Sequence, residues 1–397
     1  MLYFLVRPVA RYVLRYYYRR IDIRGLEHIP RDGAVILAAN HPTAFIEPCL
    51  LACFQQRPLH FLARGDLYKT KLVSWVLRAL HILPVYRIQD GGYSKLTENY
   101  ATFDACYGVM SRGGALMVLA EGRCVHEKRL RPLRKGTARV ALGALDRDAT
   151  LPEVYIVPVG VNFVAAERVR SDVLIRCGEP LRTSDFLKQY RENEAVGLRE
   201  LTAALRKALS PHVLQLPEAA TDARYEVLLE LHRTTLSPGS DQLSVEQTVV
   251  ARGLPDTRVL EYRTRLQQLG LTDGALMAST TPVAFPWSAF PAVVLLLPQL
   301  PVWTIAQLIA LIGPKTIEFY SPVRFAAVAV GTLLYLPLWL LLSWPAAIYL
   351  LLSLVFTRWA IRQLERAVAW YRARKVAKYS AHRRRSLLEL RAELVGQ

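Results

Sequence analysis

Between residue 20 and about residue 185, short runs of aliphatic and β-branched residues alternate with longer runs of helical spacing. GAVILAAN (33–40) predicts a strand, followed after Pro42 by a helix to about Gln56. LHFLAR (59–64) predicts a second strand, then a helix from Asp66 to Leu80. HILPVYR (81–87) and GALMVLAEG (114–122) predict two more, with a helix between them from Ser94 to Ser111. A helix near Gly136–Leu145 and the strands EVYIVPVGVNF (153–163) and DVLIRCGEP (172–180) complete the series. Such alternation predicts an α/β domain over residues 21–185, a mostly parallel sheet flanked by helices. Ligands of these sheets bind at the carboxyl ends of the strands. Asn40-His41, Arg87 and Glu121-Gly122-Arg123 fall at such ends.

A second pattern begins later. Gly274–Pro314 and Phe325–Thr357 contain no charged side chain over 41 and 33 residues. About 20 apolar residues cross a bilayer, so residues 281–357 predict a membrane-embedded region with segments at about 290–312 and 325–356. Four prolines, at 286, 291, 298 and 301, interrupt the first segment. They leave open a straight span or a broken, re-entrant pair of helices. Residues 186–280 predict amphipathic helices around the linker LSPGSDQLS, as a cap or a connection. Residues 358–397 predict a long basic helix.

Charge sharpens this division. The chain has 397 residues and a formal net charge of +18. Residues 1–24 carry six arginines and one aspartate, and residues 358–397 carry eleven Lys/Arg and three Glu. The positive-inside rule puts residues 358–397 in the cytoplasm, and two spans put the first 280 residues there too. Arg7, Arg11, Arg15 and Arg19 form one helical stripe in residues 1–20, with Tyr16–Tyr18 suited to the headgroup level. That reads as an interfacial helix on anionic membrane lipids; a helix packed on its own domain is the alternative. Nucleic acid is excluded as a partner, because the basic ends flank apolar stretches and lack an interleaved aromatic platform. The five cysteines are scattered without a CxxC pair, which predicts reduced thiols. No His/Cys set has zinc spacing, and no GxGxxG, GxxxxGK[ST] or G-x-S-x-G is present. No metal or cofactor is expected.

The sharpest local feature is NHPTAFIEP (40–48). A histidine at a strand end can take a proton from a hydroxyl, and a carboxylate can fix its tautomer. Glu47, a turn or two into the following helix, could reach His41; a capping histidine beside an unrelated acid fits the same spacing. AEGRCVHEKRLRPLRKG (120–136) carries Arg123, Lys128, Arg129, Arg131, Arg134 and Lys135 past a strand end. This suits a phosphate ligand, or a solvated charge run. Arg64, Lys69 and Arg87 could join the same basic pocket or form structural ion pairs. Glu121 is expected to order the loop by accepting hydrogen bonds.

NHPTAFIEP, ILPVYR, LAEGR and IVPVGVNF occur in that order across residues 40–163. Together they resemble the four blocks of the glycerolipid acyltransferase family, typified by glycerol-3-phosphate and lysophosphatidic acid acyltransferases. The likeness is greatest to a branch with two late membrane segments and an Asn-His-Pro-Asn-Ser-x-x-Asp motif. Glu47 replaces that aspartate and adds one methylene; Arg123 and His81 depart from the common pattern. The resemblance implies catalytic residues His41 and Glu47, and a substrate site from Arg64, Arg87, Glu121, Gly122, Arg123 and Lys135. It implies an acyl thioester donor, acyl-CoA or acyl carrier protein, as co-substrate. The acceptor is a phosphate-bearing glycerol, glycerol-3-phosphate by the branch, with lysophosphatidate as the alternative. A catalytically impaired lipid-binding homologue is the remaining reading. The implied location is integral to a membrane, the catalytic domain on its cytoplasmic face, the inner membrane if the source is bacterial.

Overall fold

A computed structural model describes residues 1–85, 96–237, 239–279 and 284–396. The chain forms two compact units, residues 1–213 with 306–331, and residues 214–305 with 332–397.

The first unit is built on eight strands: β1 (Arg20–Arg24), β2 (Ala34–Ala39), β3 (Leu59–Arg64), β4 (Ile82–Val85), β5 (Ala115–Leu119), β6 (Val154–Phe163), β7 (Asp172–Cys177) and β8 (Leu181–Arg182). The order is β1-β7-β6-β2-β5-β3-β4, with β8 also on β6. From β6 to β4 every pairing is parallel; β7 and β8 run antiparallel to β6. All six residues of β2 are buried, as a strand covered on both faces requires. Ala34, Ile36 and Ala38 share a core with α4 (Leu96–Ser111), α5 (Gly136–Arg147) and α7 (Glu194–Leu209), and Val35, Leu37 and Ala39 are equally buried on the other face. A short α6 (Leu187–Glu192) precedes α7. Strand β1 is an addition to the predicted set. In RIDIR only two apolar residues alternate with charges, and the strand is held at the edge by parallel pairing to β7 and by Asp22 against Arg176 at 3.1 Å.

Three local differences have clear causes. The helix expected from Pro42 starts later, as α2 (Ile46–Phe54), because the Thr43 hydroxyl accepts the Ile46 N–H at 3.3 Å and sets a turn first. The run from Asp66 to Leu80 is a single helical turn followed by α3 (Lys71–Ala79), capped by Thr70. The N-terminal helix α1 (Leu2–Tyr17) buries the tyrosines expected at headgroup level, Tyr16, Tyr17 and Tyr18, inside its own unit. Two of its arginines reach α2. Arg7 donates to the Gln55 and Gln56 carbonyls at the end of α2, and Arg11 lies 5.5 Å from the Phe54 ring centroid. Cations are favoured there by the negative end of the helix dipole.

The second unit contains α8 (Asp222–Thr235), α9 (Gln242–Ala251), α10 (Arg258–Gln268) and α11 (Asp273–Ala278). Buried Arg391 of α16 (Ala381–Gly396) donates to both Asp273 oxygens at 2.8 and 3.1 Å, and to the Leu231 carbonyl at 2.7 Å. The basic C-terminal segment is therefore not one long helix: α15 (Trp344–Ala377) ends, and α16 packs back on α8 and α11. The apolar region holds α12 (Ala289–Leu296), α13 (Leu300–Ile312), α14 (Ile317–Leu342) and the start of α15. The stretch expected as one segment over 325–356 is two helices, parted where Ser343 caps α15 ahead of Pro345. Three helical spans are long and apolar enough to cross a membrane, Ala289–Ile312, Ile317–Trp339 and Trp344–Ala377. Pro298 has no N–H for the Val294 carbonyl, which accepts the Leu297 N–H and the Tyr349 hydroxyl instead.

Leu37 has no exposed surface. Leu37→Ala should cost about 2–5 kcal/mol and lower the melting temperature of the purified protein by roughly 5–15 °C. A thermal scan against wild type measures it.

Candidate functional site

Strands β2, β5, β3 and β4 are parallel neighbours, so their carboxyl ends share one edge of the sheet. Asn40 extends β2 with its side chain: its amide donates to the Val161 carbonyl at 2.9 Å and accepts the Val161 N–H at 2.7 Å. That clamp fixes the next residue, His41, which is buried. The His41 N–H donates to Glu121 Oε2 at 2.8 Å, and its carbonyl accepts Arg131 Nη2 at 3.2 Å. The ring is thus aimed by backbone anchors from β2, β5 and the following loop.

Glu47 lies 3.7 Å from His41 Nδ1, measured to Oε1. It is fully buried, in the first turn of α2. Thr43 holds both its oxygens: the backbone N–H donates to Oε1 at 2.6 Å and the hydroxyl to Oε2 at 2.7 Å. The extra methylene of glutamate is accommodated by this clamp. Nδ1 is sealed from solvent and has no hydrogen-bond partner among the described residues. The separation is beyond hydrogen-bond length and within ion-pair range, a spacing common in substrate-free sites that tighten on binding.

The loop after β5 is ordered by Glu121. Its Oε1 accepts the Arg131 N–H at 2.7 Å and its Oε2 accepts Arg131 Nη2 at 2.6 Å. With His41 also bound, this carboxylate is occupied internally, and its charge would repel a phosphate. Glu121 thus orders the loop, as expected, by accepting hydrogen bonds from its backbone and from Arg131. Gly122 takes φ +75°, and a Cβ there would meet Arg134 Cγ at 2.9 Å. The Arg134 stem thus crosses directly over the strand end. Arg123, Arg134 and Lys135 are exposed, with no carboxylate partner among the described residues. Lys128 is spent on the Val164 carbonyl at 2.8 Å, and Arg131 on the loop itself.

Arg64 stands at the same sheet edge, at the end of β3, two strands from β2. It is ion-paired with Asp66 at 2.6 Å. Arg87 lies outside the described residues. Among the described residues no group of three His, Cys, Asp or Glu side chains is placed to hold a metal.

Two contributors were not legible from the motifs. Thr43 is one; its role follows only once α2 starts at Ile46. The other is Glu318 at the start of α14, whose carbonyl accepts the Ala44 N–H at 3.1 Å and whose Oε1 accepts the His126 N–H at 3.4 Å. A residue some 270 positions from His41 thereby touches both loops of the site.

Burial works against the thiols as nucleophiles. Burial pushes Cys53, Cys106 and Cys177 up to about 12 and raises Cys49 in the same direction. Half-exposed Cys124 is raised by burial and then by the Glu318 carboxylate. Because the thiolate is the reactive form, iodoacetamide at pH 8 should leave Cys49, Cys53, Cys106 and Cys177 unmodified in the folded protein. All five cysteines should react in denaturant. Mass spectrometry of the alkylated chain reads the outcome.

Residues 20–162 match the family model described as Acyltransferase. Glycerol-3-phosphate O-acyltransferase 2 of Saccharomyces cerevisiae is 24% identical over 205 residues, 48% of this chain and 27% of that protein. Glycerol-3-phosphate O-acyltransferase 1 of the same yeast is 25% identical over 149 residues, 36% of this chain and 18% of that protein. The chain thus spans about a quarter or less of the length of these relatives. Among solved structures, the 1-acyl-sn-glycerophosphate (LPA) acyltransferase from Thermotoga maritima is 18% identical, with a TM-score of 0.35 over 50% of this chain and 80% of that one. Through residues 20–162, the chain is thus similar to acyltransferases, and over parts of its length to the two yeast glycerol-3-phosphate enzymes.

Proposed function

We propose that the chain transfers an acyl group from a thioester to the hydroxyl of glycerol-3-phosphate, with His41 as the base. The observation that carries this reading is the buried Glu47 carboxylate 3.7 Å from His41 Nδ1, at the carboxyl end of a central strand. A carboxylate on that side favours the Nδ1–H tautomer and leaves Nε2 to accept a proton. The acceptor hydroxyl gives its proton to Nε2 as its oxygen attacks the thioester carbonyl. The tetrahedral oxyanion then collapses, the C–S bond breaks, and the imidazolium returns the proton to the leaving thiolate. Preorganised N–H donors stabilise such an oxyanion. The imidazolium formed midway is balanced by Glu47, which Thr43 prevents from swinging away.

Arg123 and Lys135, exposed beside the strand ends, are the proposed cations for the acceptor phosphate, with Arg134 added by its place over Gly122. Arg87 is proposed from its motif, and Arg64 is retained only as a peripheral cation, because Asp66 already neutralises it. The donor is acyl-CoA or acyl carrier protein, and the mechanism needs no metal or cofactor. Glycerol-3-phosphate is preferred as acceptor because both curated relatives carry that substrate in their names. Lysophosphatidate is the second reading, from the shared motifs. An integral membrane location fits the apolar helices and an acyl-bearing product that does not partition into water. The cytoplasmic face is proposed for the catalytic domain from the arginines that follow residue 357.

A panel of acyl-CoA and acyl carrier protein donors against glycerol-3-phosphate and lysophosphatidate tests this. Wild type should acylate glycerol-3-phosphate faster. His41→Ala should lower kcat about 100- to 10,000-fold, and Glu47→Gln about tenfold or more. Equal rates in wild type and His41→Ala would remove the enzymatic reading, and no transfer by wild type would leave a lipid-binding homologue.

A further inference from the structure

We infer that residues 289–312 enter the bilayer from the face that carries the acyltransferase domain and return to the same face without crossing. The inference rests on the chain being membrane-bound, as proposed above. Length alone does not decide it. At about 1.5 Å per residue, a straight helix of this segment would reach roughly 36 Å, enough for a crossing. The hydrogen bonds on either side of it do decide it.

Within the first unit, Arg324 of α14 is buried against residues from far earlier in the chain. Its Nη2 donates to the Glu167 carbonyl at 2.8 Å and its Nε to the Tyr17 hydroxyl at 3.1 Å. The Tyr17 hydroxyl in turn donates to the Ser321 carbonyl at 3.0 Å, and the Ala44 N–H donates to the Glu318 carbonyl at 3.1 Å. Residues 17, 44, 167 and 318–324 therefore lie on one side of any membrane. Among the described residues between Glu167 and Glu318, Ala289–Ile312 is the one helical span long and apolar enough to cross. A single crossing would put Glu318 and Glu167 on opposite faces and break every one of these bonds.

A second set of bonds, within the other unit, gives the same count. Arg391 closes on Asp273 and Thr234, so the chain before Ala289 and the chain after Ala377 also share a face. All three candidate spans lie between Asp273 and Arg391, and three crossings would separate that pair. Both sets are satisfied if Ala289–Ile312 returns and α14 with α15 form an out-and-back hairpin.

The local chemistry suits a segment that dips and returns. It is interrupted by a tight turn at Leu297–Gln299, with Pro298 within it and Pro301 just after. Gln299, buried at this break, donates its side-chain amide to the Ser353 and Thr357 hydroxyls at 2.7 Å each, so that amide does not face hydrocarbon unpaired. Phe290, Val294, Leu300, Ile305, Leu308 and Ile312 are exposed and form a surface for acyl chains. With a segment that returns, they belong to the leaflet from which it enters.

Single cysteines in the full-length protein, with Cys124→Ser as background, test this in sealed vesicles of phosphatidylcholine and phosphatidylglycerol. Trp287→Cys and Lys315→Cys flank the segment, and Lys188→Cys, on the surface of the catalytic unit, is the reference. A membrane-impermeant maleimide should label all three to the same fraction before lysis. A fluorophore on Leu308→Cys should be quenched by doxyl lipids at least twofold more than one on Lys188→Cys. Labelling of positions 287 and 315 from opposite faces overturns the inference, as does an unquenched probe at position 308. Release of the protein from membranes by alkaline carbonate would instead contradict the membrane-bound reading itself.

Discussion

The carboxylate of Glu47 has no contact with water, and its charge must be balanced from inside the fold. Burying a carboxylate is costly unless hydrogen bonds and a nearby counter-charge compensate. Thr43 supplies two hydrogen bonds, and the His41 ring supplies a group that can become a cation. The rest of the site can be read as scaffolding for that arrangement. Asn40 continues the β2 ladder so that the ring emerges at a fixed point, Glu121 ties the His41 N–H to the next strand, and Arg131 ties Glu121 to the cationic loop. The imidazole and the surface cations are positioned through the same few bonds, although they come from segments some 80 residues apart.

The central strands were legible because they are buried on both faces and so read as aliphatic runs, as in AVILAA of β2. The edge strand β1 was not, since RIDIR is mostly charged and depends on partners supplied by β7. The spacing of His41 and Glu47 pointed to a pair, but not to how glutamate fits where a shorter acid is usual. That answer needs Thr43, whose hydroxyl delays the helix and then holds the carboxylate. The partners of charged residues were less legible than the apolar pattern. Arg7 and Arg11, read as part of a stripe, meet the end of α2, and Arg64, read as a ligand, has Asp66 beside it. A guanidinium at a given spacing carries no sign of whether a carbonyl, a ring or a carboxylate waits for it in the fold.

The membrane region illustrates a different limit. Hydropathy marks what can enter a bilayer and says nothing about which face it leaves by. That information lies in long-range bonds such as Arg324 to Glu167 and Arg391 to Asp273. The same first turns of α14 also touch Ala44 and His126, so Glu318 and the loops around His41 are joined within the first unit. A candidate site that lies within residues 20–162 is thus buttressed by a residue beyond 300.

The most direct test of the account is the tautomer of His41, read by 15N NMR on protein labelled at histidine and assigned with His41→Gln. If Glu47 orients the ring, the neutral imidazole carries its proton on Nδ1, and Glu47→Ala abolishes that preference. A proton resident on Nε2 in the wild-type protein, unchanged by removal of Glu47, would contradict it.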